Sequence, residues 1–208
     1  MSLIDNLKWR YATKKMNGEK VSEEKLNAIL NAIQLAPSSF GLQPYTVLVI
    51  SDPAVKEKLT PASYGQTQIA DSSHLIVFAT WTGVSAEQVD TFIADIATKR
   101  NMPLEALNDY KGYINSSIAD LSDEQKGIWN AKQAYIGLGI GLAAAAEQQV
   151  DATPMEGFVP AQYDEILGLT ELKLTATVIM ALGYRHEGDW LAALPKVRRD
   201  KDLLFKFM

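Results

Sequence analysis

Hydrophobic positions recur at helical spacing from Leu26 through Ile29, Leu30, Ile33 and Ala36, which predicts an amphipathic helix. Ser22 is placed to cap it, Glu23 and Glu24 fall in its first turn, and Pro37 ends it. The next stretch, P-S-S-F-G-L-Q-P, holds two prolines, a glycine and two hydroxyls, and reads as an irregular turn into a strand from Tyr45 to Ile50. Asp52-Pro53 starts a short helix reaching Leu59, and the continuous apolar run from Leu75 to Thr80 predicts a second, buried strand. Between Glu87 and Leu121 the pattern is helical or irregular. Leu121-Ser122-Asp123-Glu124 then supplies a cap and an acidic first turn for a long helix running through Trp129 to about Gln148. A last strand is expected from Thr175 to Gly183, followed by turns, a basic patch from Lys196 to Arg199, and an apolar tail from Lys201 to Met208. Strands and helices mix without a regular βα repeat, so the expected class is an α+β layered fold. No repeat or linker divides residues 1–208, which are expected to form one domain.

Composition narrows the chemistry. With no cysteine, disulfides, thiol nucleophiles and thiolate-held metals or iron–sulfur clusters are excluded. His74 and His186 are the only histidines, too few and too far apart for a multi-histidine metal site, so no metal is expected. His74, just before a buried strand, reads as structural. Redox work would need a bound organic cofactor. A formal charge of −5 argues against nucleic acid or an acidic membrane as partner, so any phosphate site must be a local cluster. The N-terminus lacks the features of a secretory signal, which makes a cytoplasmic location the default. The longest apolar run, Ala134 to Ala146, is shorter than the ~20 residues of a membrane span and reads as a buried helix.

Several short motifs could carry chemistry. Gly137, Gly139 and Gly141 resemble a dinucleotide fingerprint in spacing alone, because they lie inside a helical apolar run; close helix packing is the expectation, with no phosphate near them. Arg10 and Lys14 near one end and Lys196 and Arg198 near the other are either solvated charges or, if the chain ends converge, a grip on a phosphate. Ser38 and Ser39 offer donors on a turn stiffened by Pro37, or only form that turn. Gln66 and Gln68 can pair with the edge of a ring that carries donors and acceptors, or lie at the surface. Beside Glu156, Gly157 would let the backbone approach a planar ligand. Phe40, Leu42, Tyr110 and Tyr113 are candidate walls for a pocket taking planar acceptors, or ordinary packing residues.

In order along the chain, R-Y-A-T-K, A-P-S-S-F-G-L-Q-P, W-N-A-K-Q-A-Y, T-P-M-E-G-F and L-P-K-V-R resemble the nitroreductase family, and specifically its oxygen-insensitive NAD(P)H nitroreductase and flavin reductase branch. The resemblance runs almost end to end. It implies a central, mainly antiparallel sheet flanked by helices, in an intertwined homodimer with FMN at the interface. The long helix would lie partly against the partner, and Leu203-Leu204-Phe205 would reach across to it. By position, Arg10, Lys196 and Arg198 would hold the FMN phosphate, with Tyr11 and Ala12 beside them and Lys14 nearer the pyrimidine edge. Ser38 and Ser39 would come from the opposite chain. Pro154, Met155, Glu156 and Gly157 would line one face of the ring, the last two directing amides toward N5.

The resemblance further implies ping-pong chemistry, in which NADH or NADPH gives hydride to flavin N5 and a nitroaromatic, quinone or flavin-like acceptor then takes it from the same open face. No side-chain nucleophile would be needed. The alternative is a flavin-binding or flavin-storage dimer of the same fold without turnover. Where many relatives carry an asparagine and a lysine three apart, this chain has Gly65 and Gln68, which would move the pyrimidine contacts to Gln66 and Gln68. Without that lysine's charge, the flavin potential is expected to be lower than in lysine-bearing relatives.

Overall fold

A computed structural model describes residues 2–208. Four strands form one antiparallel sheet in the order β1 (Tyr45–Ile50), β2 (His74–Trp81), β4 (Leu174–Gly183), β3 (Asp151–Met155). The fold is α+β, as the mixed pattern predicts. Both faces of the sheet are covered. Leu75, Val77 and Ala79 of β2 point to one core, while Ile76 and Phe78 point to the other, the alternation a strand imposes. On β4 the parity changes, because Ala176 joins the first core and Val178 the second. The pairing explains this: Phe78 faces Val178 but Ala79 faces Ala176, so Thr177 is the extra residue of a bulge.

The helices follow their caps. Ser22 accepts from the Lys25 amide at the start of α2 (Glu23–Gln34), Asp52 from Ala54 at α3 (Pro53–Leu59), and Ser122 forms a capping box with Gln125 at α7 (Asp123–Glu147). These elements match the predicted ones to within two residues. The stretch after Glu87 resolves into α5 (Ala86–Lys99) and α6 (Asn108–Ala119), which share a small core of their own around Val89, Ile93 and Ile114. Elements not predicted include α1 (Leu3–Trp9), the short α4 (Gln68–Asp71), β3, and α8 (Pro160–Leu167). The tail carries a single turn, α9 (Lys201–Leu204), with exposed side chains.

Only part of α7 is buried by this chain. Ala134, Gly137, Leu138, Gly141 and Ala145 face the core, whereas Ile128, Tyr135, Ile136 and Ile140 are exposed. The expected close packing holds at two of the three glycines: a Cβ at Gly137 would lie 2.9 Å from the Tyr45 Oη, and one at Gly141 2.9 Å from Ile33, but Gly139 faces open space. No helix among the described residues is long and apolar enough to cross a membrane.

Candidate functional site

The chain ends do converge. Residues 10–16 run beside the end of β4, joined to it by an isolated bridge between Met16 and Arg185, and residues 191–198 fold back over α1. Between them lies a cleft of about 590 Å³ lined by Arg10, Tyr11, Ala12, Arg185, Lys196 and Arg198, with Pro154 at its edge. Arg10 donates from Nη2 to the Ala152 carbonyl at 3.3 Å, and its buried Nε has no partner. Lys196 Nζ donates to the carbonyls of Leu7, at 2.8 Å, and Arg10.

Among the described residues, none of Arg10, Lys196 and Arg198 is ion-paired to a carboxylate. Burial and then the neighbouring Arg198 hold the Arg10 guanidinium below its ordinary pKa; burial and then Arg10 and Arg198 do the same to Lys196. Three cations thus repel one another around an unsatisfied N–H. An anion with several acceptor oxygens would relieve both the repulsion and the missing hydrogen bond.

A second group of residues holds this loop in shape. Arg185 donates to Asp151 from Nε at 3.0 Å, from Nη2 at 2.7 Å and from its backbone amide at 2.8 Å. Its guanidinium lies 4.4 Å from the Trp9 ring centroid and 4.7 Å from that of Tyr11. Asp189, buried, accepts from the Tyr11 hydroxyl and from the amides of Lys14, Lys15 and Leu191, and these bonds hold its carboxyl below the usual range although burial opposes them. Lys14 is fixed through that amide, while its side chain is exposed and does not line the cleft. Sequence reasoning missed Arg185, Asp151 and Asp189, which no local pattern joins to one another or to residues 9–11.

Pro154 also borders an apolar hollow of about 470 Å³, formed by Met155, Glu156 and Val178 with Tyr135, Leu138, Gly139 and Leu142 of α7. The Tyr135 hydroxyl donates to Glu156 Oε1 at 2.5 Å; burial first, and then the carboxylate, push its pKa up to about 12. Gln66 donates from Nε2 to the carbonyls of Gly157, at 2.8 Å, and Ser63, at 3.1 Å, while Gln68 donates to Gln66 Oε1 at 3.2 Å. Gln66 therefore holds the Gly157 carbonyl, and the buried Gln68 supports Gln66. A Cβ at Gly157 would meet Gln66 Nε2 at 3.0 Å, so this close approach suits glycine.

Within one chain, Ser38 and Ser39 stay apart from both hollows. Their turn is held by Gln133 Oε1, which accepts from the Ser39 amide at 2.8 Å, and by Ser38 Oγ, which accepts from the Gln43 amide at 2.9 Å. Phe40 takes a φ of 60° there, and Tyr110 donates to its carbonyl at 2.8 Å. The Phe40 ring meets Tyr113 edge-on at 5.8 Å and Trp129 at 6.1 Å. Phe40, Tyr110 and Tyr113 thus come together, while Leu42 is buried nearby in sequence. His74 Nδ1 bonds Ser73 Oγ at 2.9 Å, and that oxygen accepts from the Val21 amide, a structural arrangement. Among the described residues, no group of three or more histidine, aspartate or glutamate side chains converges as a metal site would require.

Residues 7–184 match the model of the nitroreductase family. The chain is 30% identical over 208 residues to the major NAD(P)H-flavin oxidoreductase of Aliivibrio fischeri, covering 95% of this chain and 94% of that one. It is 28% identical over 209 residues to the oxygen-insensitive NAD(P)H nitroreductase of Enterobacter cloacae, covering 95% of each. In fold it is similar to a crystal structure from Exiguobacterium sibiricum, assigned as a nitroreductase and in complex with FMN, with a TM-score of 0.86, 21% identity, and coverage of 100% of this chain and 98% of that one.

Proposed function

The chain belongs to the nitroreductase family, and on that premise we propose that it is an FMN-dependent NAD(P)H oxidoreductase working as a homodimer in the cytoplasm. The observation that carries this reading is the cluster of Arg10, Lys196 and Arg198, none of them ion-paired among the described residues, around an Arg10 Nε that has no partner. The residues fit the phosphate of FMN, whose oxygens are the acceptors that cluster lacks. FMN-bound structure in a protein of the same fold, and NAD(P)H in the names of two relatives, support the same choice.

In this reading Arg10, Lys196 and Arg198 hold the phosphate, and Pro154, which borders both hollows, marks the path from phosphate to ring. Bound there, FMN supplies hydride transfer from NADH or NADPH to a nitroaromatic, quinone or flavin-like acceptor, in ping-pong order. The protein's part is positioning. Gln66, supported by Gln68, holds the Gly157 carbonyl, and the Glu156 and Gly157 amides would donate toward the ring. Tyr135 restrains the Glu156 side chain, which would leave the backbone rather than the carboxylate to meet the ring. No side-chain nucleophile takes part.

The exposed apolar side of α7 and the tail residues Leu203, Leu204 and Phe205 provide the surface for a second chain. That chain would bring its own Ser38, Ser39, Phe40, Leu42, Tyr110 and Tyr113 toward the ring as donors and pocket walls. Arg10→Ala and Arg198→Ala are expected each to weaken FMN retention by about tenfold or more while the melting curve without FMN stays near that of the parent. Full FMN occupancy in both purified variants would sink the phosphate assignment.

A further inference from the structure

Trp9 and Tyr11 flank Arg10 in sequence, and both rings lie against one guanidinium, that of Arg185, at 4.4 and 4.7 Å. A planar cation between two aromatic faces is attracted to both. The clamp therefore fixes the backbone immediately before and immediately after Arg10. Arg185 is itself held by three donated hydrogen bonds to the buried Asp151, the first residue of β3. Arg10 leans on the next residue of that strand through the Ala152 carbonyl. Both arginines thus hang from adjacent positions of one strand, with Tyr11 pinned a second time through Asp189.

The two arginines differ in charge balance. Arg185 is matched by Asp151, whereas Arg10 has no ion-paired carboxylate and a free Nε. We propose that Arg185 is a positioning residue for the phosphate end of the cofactor site: held by Asp151 between Trp9 and Tyr11, it aims Arg10 into the cleft. This rests on the FMN reading above. Lysine cannot take its place, because an ammonium offers neither a flat face to two rings nor two parallel bonds to a carboxylate.

Riboflavin separates this role from a merely structural one, since it carries the ring of FMN without the phosphate. Affinities for both would be measured by fluorescence titration of the flavin-free protein and of Arg185→Lys and Trp9→Leu. The second variant removes one aromatic face and leaves the Arg185–Asp151 pair in place. In each variant, FMN is expected to bind at least about tenfold more weakly while riboflavin changes by less than about twofold. The proposal is overturned if FMN keeps its advantage over riboflavin in Trp9→Leu, if riboflavin weakens in step with FMN, or if lysine preserves the advantage in full. A parent protein that binds FMN no better than riboflavin would instead overturn the phosphate assignment on which the proposal stands.

Discussion

At the scale of the residue, Tyr163 ties stability to pH. Fully buried on α8, it sits with Oη 2.7 Å from Ser63 Oγ, and burial pushes its pKa from 10.0 up to about 12. Below pH 10 the phenol is protonated in both folded and unfolded chains. Between pH 10 and about 12 the unfolded chain gives up the proton while the folded one keeps it, so stability falls through that window. The loss from this group is roughly 2–3 kcal/mol. Tyr163→Phe is expected to flatten the fall, read as urea unfolding free energy at a series of alkaline pH values relative to the parent. An unchanged slope would contradict the assignment. Other single residues differ in how legible they are from sequence. Arg10, Lys196 and Arg198 stand out in the sequence only as basic residues near the two chain ends, and it is the resemblance to the nitroreductase family that gives them one ligand. Arg185 and Asp151 do not stand out, because nothing local joins two residues 34 positions apart. Gln66 and Gln68 are by sequence either ring-edge partners or surface residues, and an amide serves a backbone carbonyl equally well: here Gln66 holds that of Gly157.

At the scale of the element, the glycines of α7 divide by face. A Cβ at Gly141 would meet Ile33 at 2.9 Å and Met180 at 3.3 Å, and one at Gly139 would meet nothing within the chain. Gly141→Ala is therefore expected to cost about 1–3 kcal/mol by overpacking, and Gly139→Ala to be tolerated by the single chain with a gain of roughly 0.5–1 kcal/mol from helix propensity. Denaturant midpoints of the two variants check this; the reverse order would contradict the packing described. Helices α2, α3 and α7 and strands β1, β2 and β4 were legible because cap, period and terminator agree in each. The strand β3 was not, since Pro154 argues against a strand and is tolerated only because β3 lies at the edge and pairs on one side with β4. Helix α1, seven residues long, offers too few turns for its period to register.

At the scale of the whole molecule, large apolar residues remain exposed at many points of the chain, and two groups of them lie on elements that the homodimer reading assigns to the partner contact. Ile128, Ile136 and Ile140 line the outer face of α7, and Leu203, Leu204, Phe205 and Phe207 follow in the tail. Exposed apolar side chains of this size are costly in water, and burial against a second chain would offset that cost. The protein is expected to sediment as a dimer at micromolar concentration, and removal of residues 203–208 to weaken that dimer; a monomer under those conditions would contradict the homodimer.

The central claim is that this fold carries a flavin which nicotinamide reduces and a second substrate reoxidises. The direct test is anaerobic addition of NADH, and separately NADPH, to the FMN-loaded protein, followed by a nitroaromatic or a quinone. At least one nucleotide should bleach the yellow flavin colour, and the acceptor should restore it. A protein that binds FMN and stays yellow with both nucleotides would contradict the enzyme and favour a dimer that only stores flavin.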